Sequence, residues 1–480
     1  MRMDSFDLLV VGGGINGAAI ARDAAGRGLA VLLVEKDDLA AHTSSASSKL
    51  IHGGLRYLEQ YEFALVRESL HERAVLLRTA PHLVRPLRFV LPDPPGGRPF
   101  WLLRLGLFVY DLLSARDELP RSRRIRRPDP ALKAAFRLAS YYDAWVDDSR
   151  LVVLNALDAA ERGAEIATRT LFLSARRDGD AWTAGLAGGR TVRAGTIVNA
   201  AGPWVADVLN ERLGARSASR VRLVKGSHIL VPRLWEGDHA YLLQQPDGRV
   251  VFALPYGDKS LIGTTDAAVE RPADAVIGAD EIAYLCAAAN AYFVKAIAPA
   301  DVIWSYSGVR SLYDDGAARA KDVTRDFHLE LDGAAGPKLI SVFGGKVTTA
   351  RALATEALDA LGVGGFKFTA TSPLPGGDID RAFNDRLHAL AAWLPPPLLA
   401  RLAAAYGTRL ETLLGGAGSL ADLGRHFGAG LYEREVRYLV DTEFARTADD
   451  IIWRRSKLGL AMSEEEQAAL ADWLSAALRS

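Results

Sequence analysis

Near its amino end the chain carries a glycine-rich turn between an apolar strand and a helix. In DLLVVGGGINGAAIARDAAGRGLAVLLVEK, the run Leu8–Val11 suits a strand that is buried on both faces. Gly12, Gly14 and Gly17 follow with the spacing G-x-G-x-x-G. Such glycines permit a sharp turn, close approach of a ligand to the backbone, and close packing of helix on strand. The unit predicts a βαβ fold with a ligand at its turn.

The acidic residue after the second strand indicates which class of ligand binds at the turn. Ala30–Val34 reads as that strand, and it ends at Glu35, whose carboxylate can accept hydrogen bonds from ribose hydroxyls. A pyrophosphate would lie at the helix N-terminus, where free N–H groups point. We therefore predict a dinucleotide site; the alternative is a merely glycine-rich βα turn. The position of the unit, and the small-residue turn NAAGPW at residues 199–204, favour FAD over NAD.

Cations stand beside glycines in three further segments, SSKLIHGGLRYL, YSGVR and FGGKVTT. Glycines next to a cation at strand ends suit a place where backbone meets a ring or an anion. If Arg56, Arg310 and Lys346 converge, they would bind a phosphate dianion, with arginine donating in a bidentate manner. Taken singly, each would be interpreted as a surface charge.

Composition limits the possible partners and compartments. Lys+Arg and Asp+Glu both total 58, so the net charge gives no reason to expect a nucleic-acid partner. The single cysteine, Cys286, fits a reducing compartment, and no secretory signal or metal-ligand pattern is expected. The longest apolar stretch, FWLLRLGLFVYDLLSA, contains Arg104 and Asp111 and is shorter than the roughly 20 residues that span a bilayer. A soluble or peripheral protein is expected.

The motifs closely resemble those of the FAD-dependent, aerobic-type bacterial glycerol-3-phosphate dehydrogenases over nearly the whole chain. Beyond the glycine unit, the markers are TSSASSKLIHGGLRYLE, DAWVDDSRLV, NAAGPWV, VKGSHILVPR, IGTTD, YSGVR, FGGKVTTAR and YLVDTEFARTADDIIWRRSKLGL. The resemblance implies an α/β plus α+β protein. Its parts are a Rossmann-like FAD-binding domain of the glutathione-reductase/amino-acid-oxidase type, an antiparallel substrate cap and a helical C-terminal domain.

Sequence patterns in the middle and the C-terminal part of the chain agree with that architecture. Short runs between residues 226 and 266, separated by Pro, Gly and Asp, predict an antiparallel meander, and TSPLPGGDID predicts a linker before an Ala/Leu-rich helical region. We therefore expect a discontinuous FAD domain at residues 1–80, 145–225 and 305–372, a cap at 81–144 and 226–304, and a C-terminal domain at 380–480.

Site residues follow from the resemblance position by position. It implies catalytic roles for His52, Arg310 and Lys346, and substrate contacts at Arg56, Tyr57, Thr264, Arg310 and Lys346. The implied contacts to non-covalently bound FAD are Gly12, Gly13, Gly14, Asn16, Gly17, Glu35, Lys36, Thr43, Ser44, Ser45, Ser47, Ser48, Gly53, Gly54, Ala201, Gly202, Trp204, Gly345, Lys346, Val347 and Thr348. Two positions depart from the family pattern: Ala19 stands where a glycine is usual and Ala350 where a tyrosine is common, so no contact is expected from Ala350.

The implied reaction is oxidation of sn-glycerol 3-phosphate to dihydroxyacetone phosphate, with electrons passing to a membrane ubiquinone or menaquinone. His52 is the expected general base, because an unperturbed imidazole titrates near neutral pH; an arginine-assisted or water-relayed transfer is the alternative. Other functions left open are a glycerol-3-phosphate oxidase using oxygen, an amine or amino-acid oxidase, and a non-catalytic flavoprotein.

A quinone acceptor implies attachment to the cytoplasmic face of the membrane. The segment FWLLRLGLFVYDLLSARDELPRSRRIRR combines an aromatic, apolar run with Arg121, Arg123, Arg124, Arg126 and Arg127. Such a segment suits an anionic membrane surface, and the alternative is a buried helix followed by a solvated basic loop. A homodimer is possible.

Overall fold

This computed structural model describes residues 4–93, 99–114, 118–133, 136–215, 220–314, 327–333 and 336–479. The strands are β1 Asp4–Val11, β2 Val31–Val34, β3 Leu50–Ile51, β4 Val84–Asp93, β5 Arg123–Ile125, β6 Arg137–Val146, β7 Glu165–Ala167, β8 Phe172–Asp178, β9 Ala181–Leu186, β10 Thr191–Asn199, β11 Val221–Pro232, β12 Ala240–Gln244, β13 Val250–Tyr256, β14 Lys259–Gly263, β15 Ala267–Ala268, β16 Trp304–Tyr313, β17 His328–Asp332, β18 Leu339–Phe343, β19 His426–Gly428 and β20 Leu431–Tyr432.

The α-helices are α1 Ile15–Gly26, α2 Phe63–Thr79, α3 Phe100–Leu113, α4 Asp148–Glu161, α5 Val205–Asp207, α6 Ala279–Asn290, α7 Ala350–Ala360, α8 Phe383–Ala391, α9 Pro396–Tyr406, α10 Leu410–Leu414, α11 Glu433–Thr442 and α12 Glu464–Ala477. No helix in these described ranges is long and apolar enough to cross a membrane.

The first sheet has the strand order β17-β18-β10-β1-β2-β7, and its central strands run parallel. Helices α1, α4 and α7 share one apolar core with one face of this sheet, while the hairpin β8–β9 contributes Phe172 and Trp182 to the core on the other face. Because α1 is rich in alanine, it packs closely between its neighbours. Ala19 is buried within this core, and Ala350 is buried at the start of α7. The fold class expected from the sequence is confirmed.

The second sheet forms the cap and is mainly antiparallel. Its order is β15-β11-β14-β13-β12-β4-β6-β3, with β16 paired to β11 and β5 to β6. Helix α6 covers one face, whose core includes Ile229 and Phe293. Helices α2 and α3 cover the other face through Leu70, Leu107 and Tyr110. Both faces are buried, so the cap has a core separate from that of the first sheet.

Two local expectations need correction. The sequence assigned residues 305–313 to the cofactor domain, whereas β16 is hydrogen-bonded into the cap sheet, with Arg310 opposite Val224 in the middle of the strand instead of at its end. The amphipathic pattern that follows Gly53–Gly54 in the sequence predicts a long helix, but the chain there begins as a 3-10 helix, Leu55–Gln60, and breaks at Tyr61, whose φ is +61°. The domain boundaries themselves stay a prediction.

The C-terminal region has its own core and is tied to the first domain by ion pairs. Its helices pack around Leu402, Leu439 and Ile451, as the helical sequence pattern indicates. Arg150 of α4 bonds Glu443, and Arg455, on the π-helical turn Asp450–Arg455, bonds Asp38 behind the cofactor turn. These buried pairs fix the C-terminal region against the glycine-rich unit.

Candidate functional site

A cavity of about 240 Å³ lies at the carboxyl ends of β1, β2 and β10. Its walls include Gly12, Gly14, Glu35, Lys36, Thr43, Ser44, Ala201, Gly202 and Trp204, all of which the sequence predicted as cofactor contacts. Such a crevice is where open α/β sheets bind their ligands.

The glycines at this cavity are required by geometry. Gly12 has φ +115°, and a Cβ there would lie 2.5 Å from the carbonyl oxygen of Ala200. A Cβ on Gly17 would lie 1.9 Å from the carbonyl oxygen of Gly12. The backbone therefore forms a tight turn under the N-terminus of α1, as a bound pyrophosphate needs. These residues fit a dinucleotide.

Polar side chains of the protein hold the shape of the turn. Glu35 accepts hydrogen bonds from the backbone N–H groups of Gly13 at 2.7 Å and Asp37 at 2.9 Å. Ser44 Oγ accepts from Ile15 N at 3.0 Å, at the start of α1. Glu35 thus holds the glycine turn in place, a role that the sequence did not reveal, while also lining the cavity.

The residues Thr43–Ser48 form a serine-rich loop, and the rest of this loop contacts protein groups in the structure. Thr43 Oγ1 donates to the carbonyl of Val309 at 2.6 Å, and Ser45 Oγ donates to that of His42. Ser47 Oγ donates to Asp148 at 2.6 Å, and Ser48 Oγ lies 3.0 Å from His228 Nε2. The loop therefore lies on the cap strand β16 and on α4, and its side chains are held by both.

A second glycine turn meets the first helix. Asn16 Nδ2 donates to the carbonyl of Gly344 at 3.2 Å, and a Cβ on Gly345, whose φ is +93°, would lie 2.9 Å from that same nitrogen. The β18–α7 turn therefore abuts the N-terminus of α1. Lys346, Val347 and Thr348, which the sequence predicted as cofactor contacts, follow this turn.

The β18–α7 turn also meets the His52 turn. Lys346 Nζ lies 4.4 Å from the ring centroid of Tyr57 and is buried without a hydrogen-bond partner among the described residues. Thr348 Oγ1 accepts from His52 N at 3.4 Å. Arg56 shares the 3-10 helix with Tyr57. Predicted residues from two distant segments are thus brought together.

The glycine pair beside His52 is supported from behind. Gly53 N donates to Tyr110 Oη at 2.8 Å, and Tyr110 donates to Asp143 at 2.7 Å. Gly54 has φ +76° and leaves no room for a side chain beside Tyr57. Burial raises the pKa of Tyr110, which keeps its phenol protonated.

Arg310 belongs to a second cluster on the cap sheet. It donates to Asp266 at 2.6 Å and to Thr264 Oγ1 at 3.3 Å. A Cβ on Gly226 would lie 2.6 Å from both Arg310 Nη2 and Thr264 Oγ1, so this glycine leaves the space that they occupy. The structure joins Arg310 to Thr264 and Lys346 to Tyr57; the meeting of all three cations on one anion stays a prediction.

His228 was not among the predicted site residues, although its Nε2 lies 3.0 Å from Ser48. It is buried, its ring stacks on Tyr306 at 4.7 Å, and its Nδ1 has no partner among the described residues. Burial, Lys49 and Arg310 lower its pKa well below the ordinary value, so the imidazole is neutral. The signal in the sequence was a polar pair, Ser227 and His228, directly before the apolar run Ile229–Val231.

Known proteins are similar to this chain in sequence and in fold. Residues 7–351 match the FAD dependent oxidoreductase family, and residues 367–477 match the C-terminal domain of alpha-glycerophosphate oxidase. A glycerol-3-phosphate dehydrogenase of Pseudomonas aeruginosa is 52% identical, over 98% of this chain and 95% of that protein. A D-erythritol 1-phosphate dehydrogenase of Brucella abortus is 50% identical over 98% of both. The structure of the glycerol-3-phosphate dehydrogenase from Bacillus halodurans complexed with FAD is similar with a TM-score of 0.73 and 28% identity, covering 99% of this chain and 90% of that one.

Proposed function

Because this chain belongs to the FAD-dependent glycerol-3-phosphate dehydrogenase family, we propose that it oxidises sn-glycerol 3-phosphate to dihydroxyacetone phosphate. The C2 hydroxyl loses its proton and C2 loses a hydride, so the alcohol becomes a ketone and gives up two electrons. FAD, when bound, supplies the acceptor for that hydride. The glycine turns, Glu35 and the loop Thr43–Ser48 would hold the cofactor.

The observation that carries the proposal is the buried ammonium of Lys346. Burying a charge without a hydrogen-bond partner is unfavourable, and an anionic or strongly polar ligand would provide the missing partner. Lys346 stands beside the predicted flavin contacts Gly345 and Thr348, so it suits the polar end of a substrate placed against the cofactor. Tyr57 lies on this side, and Arg56 precedes it on the same 3-10 helix.

Arg310 would bind the phosphate from the cap. Asp266 and Thr264 orient its guanidinium, and a planar guanidinium can donate two parallel hydrogen bonds to phosphate oxygens. Because Arg310 also donates to Asp266, a bound phosphate would share the guanidinium with that carboxylate. A dianion competes for that position better than a neutral polyol does.

Two histidines can accept the hydroxyl proton. His52 lies at the turn next to the Lys346 segment. His228 is neutral because burial, Lys49 and Arg310 lower its pKa, and its unpartnered Nδ1 leaves a site for a proton. We retain His52 as the first candidate and add His228 as the second.

A four-carbon substrate is the second candidate function, favoured by the Brucella abortus relative. Glycerol 3-phosphate and erythritol 1-phosphate both present a phosphate monoester on a short polyol, and the same cations would bind either. The extra CHOH group distinguishes them, so the ratio of kcat/KM for the two compounds decides between the functions.

The test is an anaerobic titration of the FAD-loaded protein. Bleaching of the flavin absorbance by glycerol 3-phosphate, and its absence with glycerol, is expected because the phosphate provides the binding charge. Bleaching by erythritol 1-phosphate alone would move the assignment to the tetritol. No bleaching by either would refute a polyol-phosphate dehydrogenase and leave an amine or amino-acid oxidase or a non-catalytic flavoprotein.

Variants locate the chemistry. Arg310→Met should raise KM for glycerol 3-phosphate while FAD binding stays intact, and Arg222→Met is the matched control, since Arg222 forms an ion pair with Asp314 on the same two strands. His52→Ala and His228→Asn should be compared in single-turnover flavin reduction. An unchanged rate in either variant removes that histidine from the role of base.

We also propose a quinone as electron acceptor and attachment to the inner face of the membrane. Support comes from α3, which buries Leu107 and Tyr110 but exposes a large apolar face. Its exposed side chains are Trp101, Leu102, Leu105, Phe108 and Leu112, and the arginines 121, 123, 124, 126 and 127 beside it are exposed. Apolar and basic side chains on one surface suit an anionic bilayer.

Vesicles test the attachment. Trp101→Glu should reduce co-sedimentation with anionic lipid vesicles, whereas Phe366→Glu, at a side chain 78% exposed elsewhere, should not. Equal binding by all three proteins would refute the α3 surface. Rapid peroxide formation with no reduction of a soluble quinone would instead favour the oxidase alternative.

A further inference from the structure

Lys457, more than four hundred residues from the glycine turn, reaches into the first domain. It follows the π-helical turn Asp450–Arg455 and is buried apart from a small fraction of its side chain. Its Nζ lies 2.8 Å from Ser149 Oγ and 3.2 Å from carboxylate oxygens of both Asp147 and Asp148, at the start of α4. The C-terminal domain therefore supplies a cation to a pair of carboxylates, of which Asp148 is buried and Asp147 is partly exposed.

The second oxygen of Asp148 holds the serine-rich loop. It accepts from Ser47 N at 3.2 Å, from Ser47 Oγ at 2.6 Å and from Lys49 Nζ at 2.6 Å. Burial alone would raise the pKa of Asp148, but Lys49 and Lys457 hold it well below the ordinary value. The carboxylate stays ionised and bridges the loop to the C-terminal domain.

The loop in turn supports the predicted redox site. Lys49, with φ +59°, also donates to the carbonyl of Ser45. Tyr306 donates to the carbonyl of Ser47 at 2.8 Å, and Ser48 lies 3.0 Å from His228. A shift of Asp148 would therefore alter the segment Ser45–Lys49, which directly follows the cavity-lining residues Thr43 and Ser44 and contacts the cap.

We propose that Lys457 is a positioning residue for FAD: acting through Asp148, it holds the loop Ser45–Lys49 in the shape that the cofactor requires. The inference rests on the proposed flavin function, and it gives the C-terminal domain a part in cofactor binding. Lys457 itself contacts neither substrate nor cofactor in this role.

The charges around Lys49 give the proposal a measurable signature. The pKa of Lys49 is lowered to about 8. Burial is the main cause and the positive charge of Lys457 adds to it, while the negative charges of Asp148 and Asp147 oppose the shift. His228 of β11 and the Tyr306 ring of β16, 4.8 Å away, face it from the cap. Lys49 and Lys457 line a cavity of about 290 Å³, through which solvent can exchange protons.

Neutralising Lys49 would release Ser45 and weaken the hold on Asp148, so FAD affinity should fall as pH rises through the pKa of Lys49. Lys457→Met removes a neighbouring positive charge and raises that pKa. Asp147→Asn removes a neighbouring negative charge and lowers it, and asparagine retains the capping ability that Asp147 has at Arg150 N. The two variants therefore shift the pH midpoint in opposite directions.

The experiment measures the FAD dissociation constant of each purified variant against pH by recovery of flavin fluorescence. Lys457→Met should weaken FAD binding about tenfold near neutral pH, as expected for one lost charge-assisted hydrogen bond, and move the alkaline midpoint upward. Asp147→Asn should move it downward, and Lys457→Arg should restore wild-type values. Arg409→Met, which removes an ion pair to Glu161 far from the loop, is the control.

Wild-type affinity and midpoint in Lys457→Met would overturn the proposal. The same changes in Arg409→Met would also overturn the proposal, because a general loosening of the C-terminal domain would then explain them. If Lys457→Met does not fold, a downward midpoint in Asp147→Asn supports the proposal and an unmoved or raised midpoint refutes it. Because FAD binding is measured without substrate, failure here is separate from failure of polyol-phosphate oxidation.

Discussion

His82 should make the protein less stable in mild acid. It lies between α2 and β4, packed against the C-terminal linker: a Cβ on Gly376 would lie 3.3 Å from its Nε2, and one on Gly407 would lie 3.1 Å from its Cγ. Both ring nitrogens are buried without a partner among the described residues. Burial, followed by the positive charge of Arg150, lowers the pKa of His82 to about 3.

The sign and the size of this change in stability follow from the number of protons that the folded and unfolded states bind. The unfolded chain binds a proton at the ordinary pKa of about 6.5, while folded His82 stays neutral down to its lowered pKa. Between those two values the unfolded state binds more protons, so stability present above the unfolded pKa is lost as pH falls. From about pH 7.5 to about pH 5 the loss from this residue is about 2 kcal/mol.

Urea unfolding at saturating FAD measures this effect. His82→Leu has no titratable ring. Between about pH 7.5 and about pH 5, its free energy of unfolding should therefore fall by about 2 kcal/mol less than that of the wild type. Other buried groups, including His228, titrate equally in both proteins and cancel in the difference. Parallel pH dependence of the two proteins would refute the reasoning.

Three further substitutions probe the site. Gly226→Ala places a methyl group 2.6 Å from Arg310 and Thr264, and KM for the phosphate substrate should rise about tenfold or more, with FAD affinity unchanged; an unchanged KM would contradict the Arg310 assignment. Gly12→Ala meets a backbone carbonyl at 2.5 Å and a φ of +115°, so equilibrium dialysis should show FAD binding largely lost. Tyr110→Phe leaves a buried N–H unpaired behind the His52 turn, which should reduce unfolding free energy by about 1–3 kcal/mol in urea titrations; no loss would contradict that support.

Corrections to the sequence-based expectations share one cause. The strand β16 was assigned to the first domain, but its pairing partner β11 lies some eighty residues earlier. The register between such distant segments depends on how whole sheets pack, and local patterns do not contain it. His228 and Asp266 escaped attention for the same reason, since their partners Ser48 and Arg310 are remote in sequence.

The sequence by itself determined the two glycine turns at Gly12–Gly17 and Gly344–Gly345, together with the strand before each turn and the helix after it. These depend on backbone conformations that only glycine adopts easily and on apolar periodicity, both of which act over a few residues. Tertiary structure alone decided that Lys346 is buried over Tyr57, that Arg310 is held by Asp266, and that Lys457 stands behind the loop Ser45–Lys49. Burial and ion pairing are properties of neighbours in space, and those neighbours come from segments up to several hundred residues apart.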